Sequence, residues 1–302
     1  MKVFVGISHK GGTGRSVTIA NLAYRFAIRA HNVCIVDFDL ASPTMGAVLD
    51  LTGLEAGVSD PSSGFPLSVG DLLENNQKAG QAEKAIVSVW SSPTLNSSYA
   101  PNYGRFSLIP GLRQLGDRIA PDDIAKRIPH ILDALSRNYD TVFLDVRSGA
   151  SNVLSAISSA CVSERTHGRE LISSWLFHFR WTQQHLIGIA DLLSNEIEGL
   201  RRKIENDDRI CLIRTAFINP ETIGEPARAW FLKRHADLEK SLKNNIPESI
   251  MPLLGDIPLD PILQWRECII TPDLVKNGVA NEATDRAFSL ITDKLLERYY
   301  NG

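Results

Sequence analysis

No Cys-x-x-Cys pair and no Cys/His cluster occurs in this chain of 302 residues. Its four cysteines, Cys34, Cys161, Cys211 and Cys268, are widely scattered. Iron–sulfur and metal–thiolate centres need closely spaced soft ligands, so they are not expected, and a reducing, cytoplasmic setting fits best. Charge of one sign is also scarce. The net charge is −3, and the surface as a whole does not advertise nucleic-acid or anionic-membrane binding. No apolar run approaches the roughly 20 residues that span a bilayer, and the start lacks the layout of a secretory signal. No Gly-x-Ser-x-Gly elbow and no internal repeat is visible. The seven histidines have no metal spacing, and His178 and His185 read as structural. What remains is an ordinary composition, 43% hydrophobic and 22% charged. Such a chain can bury a large core.

What is present stands out at once. The apolar segment Val3 to Ile7 runs directly into Ser8-His9-Lys10-Gly11-Gly12-Thr13-Gly14-Arg15-Ser16. A strand, a glycine-rich turn and an amphipathic segment make a phosphate cradle. Glycines let successive N–H groups converge on an anion, and the positive end of the next helix adds to the attraction. The run departs from the P-loop pattern at two positions: His9 stands at the first glycine and Arg15 at the lysine. Lys10 is an extra cation early in the loop.

Periodicity then predicts a helix over 16–30, a strand over 33–36, a strand over 106–109 and a helix over 121–137 kinked at Pro129. Further strands are expected over 141–144, 173–179 and 210–218. A helix is expected over 182–200 and a charged, exposed one over 225–243. The segment 253–259 leads to a short helix at 262–266, and a last helix covers 283–300. Strand, loop, helix and strand in the first 36 residues form a βαβ unit. The expected fold is α/β: one doubly wound domain over 1–302, with a mainly parallel sheet flanked by helices. An irregular excursion rich in Ser, Pro, Asn and Gly interrupts it at about 53–105.

In such sheets ligands bind beyond the carboxyl ends of the strands. Asp37 and Asp39 follow the second strand, Asp145 follows the strand over 141–144, and Ser16 follows the loop. A hydroxyl and carboxylates there suit Mg²⁺, and a further acid can orient an attacking water. Each piece has a plainer reading, since a glycine-rich turn is often only a turn and an Asp after a strand is often a cap. Their order along the chain favours nucleotide binding.

Lys10-Gly11-Gly12-Thr13-Gly14-Arg15-Ser16 resembles the deviant Walker A motif of the ParA/MinD family of dimerising P-loop ATPases. Val33-Cys34-Ile35-Val36-Asp37-Phe38-Asp39 is similar to the family's second motif. Tyr139-Asp140-Thr141-Val142-Phe143-Leu144-Asp145 is similar to the strand leading into switch II. Leu254-Gly255-Asp256-Ile257-Pro258 resembles the late segment bordering the adenine, and Asn219 sits where the family commonly has a base-reading asparagine. The resemblance implies an ATP- and Mg²⁺-dependent homodimer switch. In it Gly11, Gly12, Thr13, Gly14, Arg15, Ser16 and Val17 hold the phosphates, with Asn219 and Pro258 at the base. Lys10 completes the partner's site, Ser16, Asp37 and Asp145 serve the metal, and Asp39 positions the water. Such switches position a cellular cargo through a protein partner.

Two departures qualify that picture. A guanidinium is planar and forked where an ammonium is a compact point charge. Arg15 either does the lysine's work or leaves hydrolysis slow or partner-dependent; the alternative function is a nucleotide-holding regulatory or scaffold protein that hydrolyses little. Arg147 stands in Val146-Arg147-Ser148-Gly149, where the family often has a Pro-Pro-Gly type switch. With Lys10, Arg15 and Arg180 it would make the site unusually cationic. Trp181 reads as a packing anchor, or as a partner contact beside Arg180. A small-molecule kinase on the same architecture is a further reading, without a recognisable acceptor pocket. Membrane targeting is not expected, because Asp285, Asp293 and Glu297 balance Arg286, Lys294 and Arg298 on the last helix. Non-specific DNA binding is a minor expectation. Arg201, Arg202 and Lys203, with Arg228, Lys233, Arg234, Lys240 and Lys243, are diluted by neighbouring acids.

Overall fold

The computed structural model describes residues 1–58, 66–74, 76–96, 100–112, 119–147, 152–166, 171–191, 210–246 and 252–300. The basic run 201–203, the far part of the helix expected over 182–200, and Ser148 and Gly149 lie outside them.

Eight strands form one sheet: β1 (Lys2–Ile7), β2 (Val33–Phe38), β3 (Val87–Ser88), β4 (Phe106–Ile109), β5 (Thr141–Val146), β6 (Ser174–Arg180), β7 (Ile210–Phe217) and β8 (Leu253–Pro258). Their spatial order is β3-β4-β2-β5-β1-β6-β7-β8. Every pairing is parallel except β3 with β4, which is antiparallel at the edge. The central strands are buried along nearly their whole length and mostly apolar, because both faces are covered. One core layer lies under the helices Pro121–Leu135 and Asn152–Thr166. The other lies under α1 (Arg15–Ile28) and the terminal helix Glu282–Tyr300.

The helix Asn152–Thr166 and the short strand β3 had no counterpart in the sequence expectations. The helix Pro121–Leu135 continues through Pro129. Among its described residues the excursion holds short helical turns, at Val69–Leu72, Asn76–Ala79, Ala82–Ala85, Val89–Ser91 and Pro93–Asn96, besides β3. The terminal helix packs on the core as its charge balance implied. Phe288, Ile291 and Leu295 are buried, and Asp293 pairs with Arg29 at 2.8 Å. No helix among the described residues is long and apolar enough to cross a membrane.

Two strands run further than periodicity suggested. β2 extends through Asp37 to Phe38, and β5 extends through Asp145 to Val146. The ladder explains this: Asp37 pairs in register with Asp145, and Asp145 also pairs with Gly6 of β1. Parallel neighbours on both sides hold Asp145 extended, and β5 alone holds Asp37, even though aspartate has little strand preference. The same register sets both acids side by side at the tip of the sheet, next to the glycine loop.

Candidate phosphate-binding site

The loop between β1 and α1 turns on two glycines. Gly12 has φ +73° and Gly14 has φ +72°, and nothing lies within 4 Å of where a Cβ would stand on either. The left-handed backbone there needs glycine, and the space above is open. Gly14 is the N-cap residue of α1, without a side-chain capping bond, and its carbonyl accepts from Thr18 N at 2.9 Å. The first N–H groups of α1 therefore stay available to an anion. Thr13 is buried, and Thr215 Oγ1 of β7 donates to its carbonyl at 2.5 Å. That bond ties the loop to the far half of the sheet. Lys10, Gly11, Gly12 and Gly14 are exposed.

A cleft of about 260 Å³ opens beside the loop. Gly12, Thr13, Gly14, Val17 and Thr18 line it on one side, with Ile257, Pro258 and Asp260 on another. Arg180, Thr215 and Trp265 also line it. Pro258 thus faces the same cleft as the glycine loop. Asn219 does not line the cleft, and its Oδ1 accepts from Glu221 N at 3.0 Å. Asp260 and Trp265 were missed. Asp260 is held by accepting from Ile262 N (3.2 Å) and Asn281 N (2.9 Å), and Trp265 is 90% exposed. A bare tryptophan signals nothing in sequence until the fold puts it beside a cleft.

The acidic group is crowded. Asp37 and Asp145 are buried, and Asp39 nearly so. Asp37 accepts from the backbone N–H groups of Asp39 (3.0 Å) and Met45 (3.2 Å), so it shapes the chain after β2. Burial pushes its carboxyl up to about 8, the Asp145 charge adds to the rise, and the two N–H groups oppose it. Arg15 is also buried, at 7% exposure. Its Nε donates to Asp145 Oδ1 at 2.5 Å, its Nη2 donates to Ser16 Oγ at 3.3 Å, and Nη2 lies 3.7 Å from Asp39 Oδ2. Burial works against the charge of Arg15, but Asp145, Asp39 and Asp37 outweigh it and hold the guanidinium above its ordinary value.

Glycine loop and cleft suit a nucleoside phosphate. A divalent ion fits less well. Ser16, Asp37 and Asp145 offer hard oxygens, but Arg15 holds one oxygen of Asp145 and the Ser16 hydroxyl, and backbone N–H groups hold Asp37. Asp145 Oδ2 is buried without a partner among the described residues. Among those residues no group of three or more His, Cys, Asp or Glu side chains is arranged to hold a metal ion.

Two histidines complete the surroundings. His9, at the position of the first P-loop glycine, packs on Gly188, where a Cβ would stand 2.3 Å from the His9 ring. His178 of β6 is fully buried, and its Nδ1 lies 3.2 Å from the carbonyl oxygen of Ile7 at the end of β1. Burial pulls its pKa from the ordinary 6.5 to about 4. The unfolded chain then takes up a proton below pH 6.5 that the folded chain refuses until about pH 4. Stability should be full above that window and fall through it by roughly 3 kcal/mol. Urea midpoints between pH 4.5 and 7 would show the slope, and His178→Gln should flatten it; an equal slope in both proteins would assign the acid sensitivity elsewhere.

Arg147 is exposed just past β5. Trp181 lies instead against Arg214, whose guanidinium sits 4.2 Å from its ring and 4.0 Å from that of Phe217. Arg214 grips Asp256 with two bonds of 2.7 Å. This places Trp181 in a packed cation–π layer that joins β7 and β8.

The fold is a mainly parallel α/β sheet flanked by helices, with a glycine-rich turn at the tip of its first strand. Residues 1–98 match a family model described as ParA, NUBPL iron-transfer P-loop NTPase. No curated protein sequence matches the chain. Among solved structures it is similar to the septum site-determining protein MinD of Pyrococcus horikoshii complexed with Mg-ADP, at 16% identity over 99% of this chain and 98% of that one, with a TM-score of 0.59. It is also similar to the MinC:MinD cell division complex of Aquifex aeolicus, at 17% identity over 98% and 96%, TM-score 0.61. A third is a putative plasmid partition protein of Borrelia burgdorferi bound to AMPPNP, at 16% identity over 98% of each chain, TM-score 0.58. Identities this low show a common fold, and the chain spans nearly the whole of each.

Proposed function

We propose that this protein is an ATP-binding molecular switch of the ParA/MinD type, acting in the positioning or partitioning of a cellular cargo. The observation that carries the reading is the left-handed turn at Gly12 and Gly14, which leaves the N-terminus of α1 open beside the in-register acids Asp37 and Asp145. Gly11 to Val17 hold the phosphates, and Pro258 borders the base. Lys10, exposed at the loop, reaches the nucleotide of a second copy. Asp39 orients the water for hydrolysis, with Arg15 beside it. ATP then favours a homodimer because it contacts both subunits there and one subunit alone. The similar structures supply the class of role, since they include a cell-division protein and a plasmid partition protein. The four cysteines are buried, which suits a reducing cytoplasm. The iron-transfer description of the family model is not carried over, because no cysteine is exposed to take a metal.

Size-exclusion chromatography with light scattering, run beside a phosphate-release assay, tests this. ATP should shift the protein from monomer to dimer. Lys10→Ala should stay monomeric while binding nucleotide within about threefold of wild type, because its charge serves the partner's phosphates. Dimerisation with negligible phosphate release would select the scaffold reading, which the Arg15–Asp145 pair at 2.5 Å favours. Absence of nucleotide binding would end both readings. Among the described residues, DNA and membrane contacts have no support beyond the exposed face of the helix Arg228–Asn245.

A further inference from the structure

The cation in this site is already present, as a side chain. Arg15 reaches two of the groups that a metal would need, Asp145 Oδ1 at 2.5 Å and Ser16 Oγ at 3.3 Å, and its Nη2 lies 3.7 Å from Asp39 Oδ2. We propose that Arg15 is the resident counter-ion of the phosphate site, so that this protein holds a nucleoside triphosphate without needing a divalent metal. The inference rests on the nucleotide-binding reading above and deepens it.

Three physical arguments lead there. The first concerns Asp145, which is completely buried. Turning Arg15 away toward a phosphate would strand that carboxylate as an unpaired buried charge, a strongly unfavourable state. Arg15 therefore stays on Asp145 when an anion arrives. The second concerns the fork. Nε and Nη2 face the acids and Ser16, and Nη1 has no partner among the described residues. A guanidinium can bridge a carboxylate on one edge and a phosphate on another, which a single ammonium cannot do as well. The third concerns the metal. Mg²⁺ demands near-ideal octahedral geometry and gives up water reluctantly. To use Asp145 Oδ1 and Ser16 Oγ it must first displace a buried guanidinium paired at 2.5 Å. A triphosphate entering beside Asp145 and Asp39 needs positive charge, and Arg15 supplies it from within the fold.

The test measures affinity, not turnover. A fluorescent ATP analogue is titrated into wild type and Arg15→Lys, each in excess Mg²⁺ and again in EDTA, and the dissociation constants are compared. For wild type the two constants should agree within about threefold, because the counter-charge is covalently attached. For Arg15→Lys, whose slimmer head frees the oxygens for a metal, EDTA should weaken binding by roughly tenfold or more. A wild-type loss of that size in EDTA would overturn the inference while leaving nucleotide binding intact. No binding by wild type in either buffer would instead defeat the underlying reading. If Arg15→Lys fails to fold, judged by near-ultraviolet circular dichroism, the wild-type ratio alone decides.

Discussion

Arg25→Ala is expected to remove roughly 3 kcal/mol of stability, enough to unfold a large fraction of a marginally stable protein near body temperature. Arg25 sits in α1 at 1% exposure. Its Nη2 donates to Asp285 Oδ1 of the terminal helix at 2.5 Å, and its Nη1 donates to the carbonyl of Asn21 at 3.2 Å. The guanidinium also lies 5.0 Å from the Phe288 ring centroid. Asn21 extends the network by donating to the carbonyl of Cys268 at 3.0 Å and accepting from Ile270 N at 2.8 Å. Truncation leaves a cavity, an unpaired acid and idle acceptors together. Asp285 is 36% exposed and regains water, which keeps the loss at the low end of the range for broken buried pairs. Arg25→Met fills the space without the charge and should lose less. Urea midpoints for the two variants measure the split. Equal losses would assign the whole effect to charge rather than packing, and a loss under about 1 kcal/mol for alanine would show that the network is dispensable.

Gly14→Asp is expected to weaken nucleotide binding by about 100-fold or more, near 3 kcal/mol, with the fold retained. The position has φ +72° and open space around it, so a side chain meets no clash and the strain is about 1–2 kcal/mol. A carboxylate at the N-cap of α1 would take the N–H groups that otherwise receive phosphate and would repel the ligand as well. Gly14→Ala brings the strain without the charge and should weaken binding by roughly tenfold at most. Calorimetry with ATP reads both. Near-normal affinity in Gly14→Asp would place the nucleotide somewhere other than this loop.

Local chemistry was legible where one short segment determines it. The Gly11–Gly14 turn, the buried strands β1, β4 and β5 and the charge-balanced terminal helix all carry their own signals: glycine at a left-handed backbone, short mainly apolar runs, alternating signs on a helix face. The extension of β2 and β5 through their aspartates was not legible, because neighbouring strands impose it. The helix Asn152–Thr166 was missed for a different reason. Its run of Ser, Ala and Val has weak periodicity, and packing on the helix Pro121–Leu135 stabilises it. Asn219 carried the family's position but lies off the cleft, while Trp265 lines it without any local signature.

By itself, the sequence determined that a parallel sheet carries a glycine cradle with acids on two nearby strand tips, since order along the chain and local backbone demands suffice for that. What Arg15 touches was decided only in three dimensions. Asp145 lies 130 residues further along the chain, and strand register and burial bring the two together. A charge sealed from water has to find its partner nearby, and only the folded chain decides which groups are near.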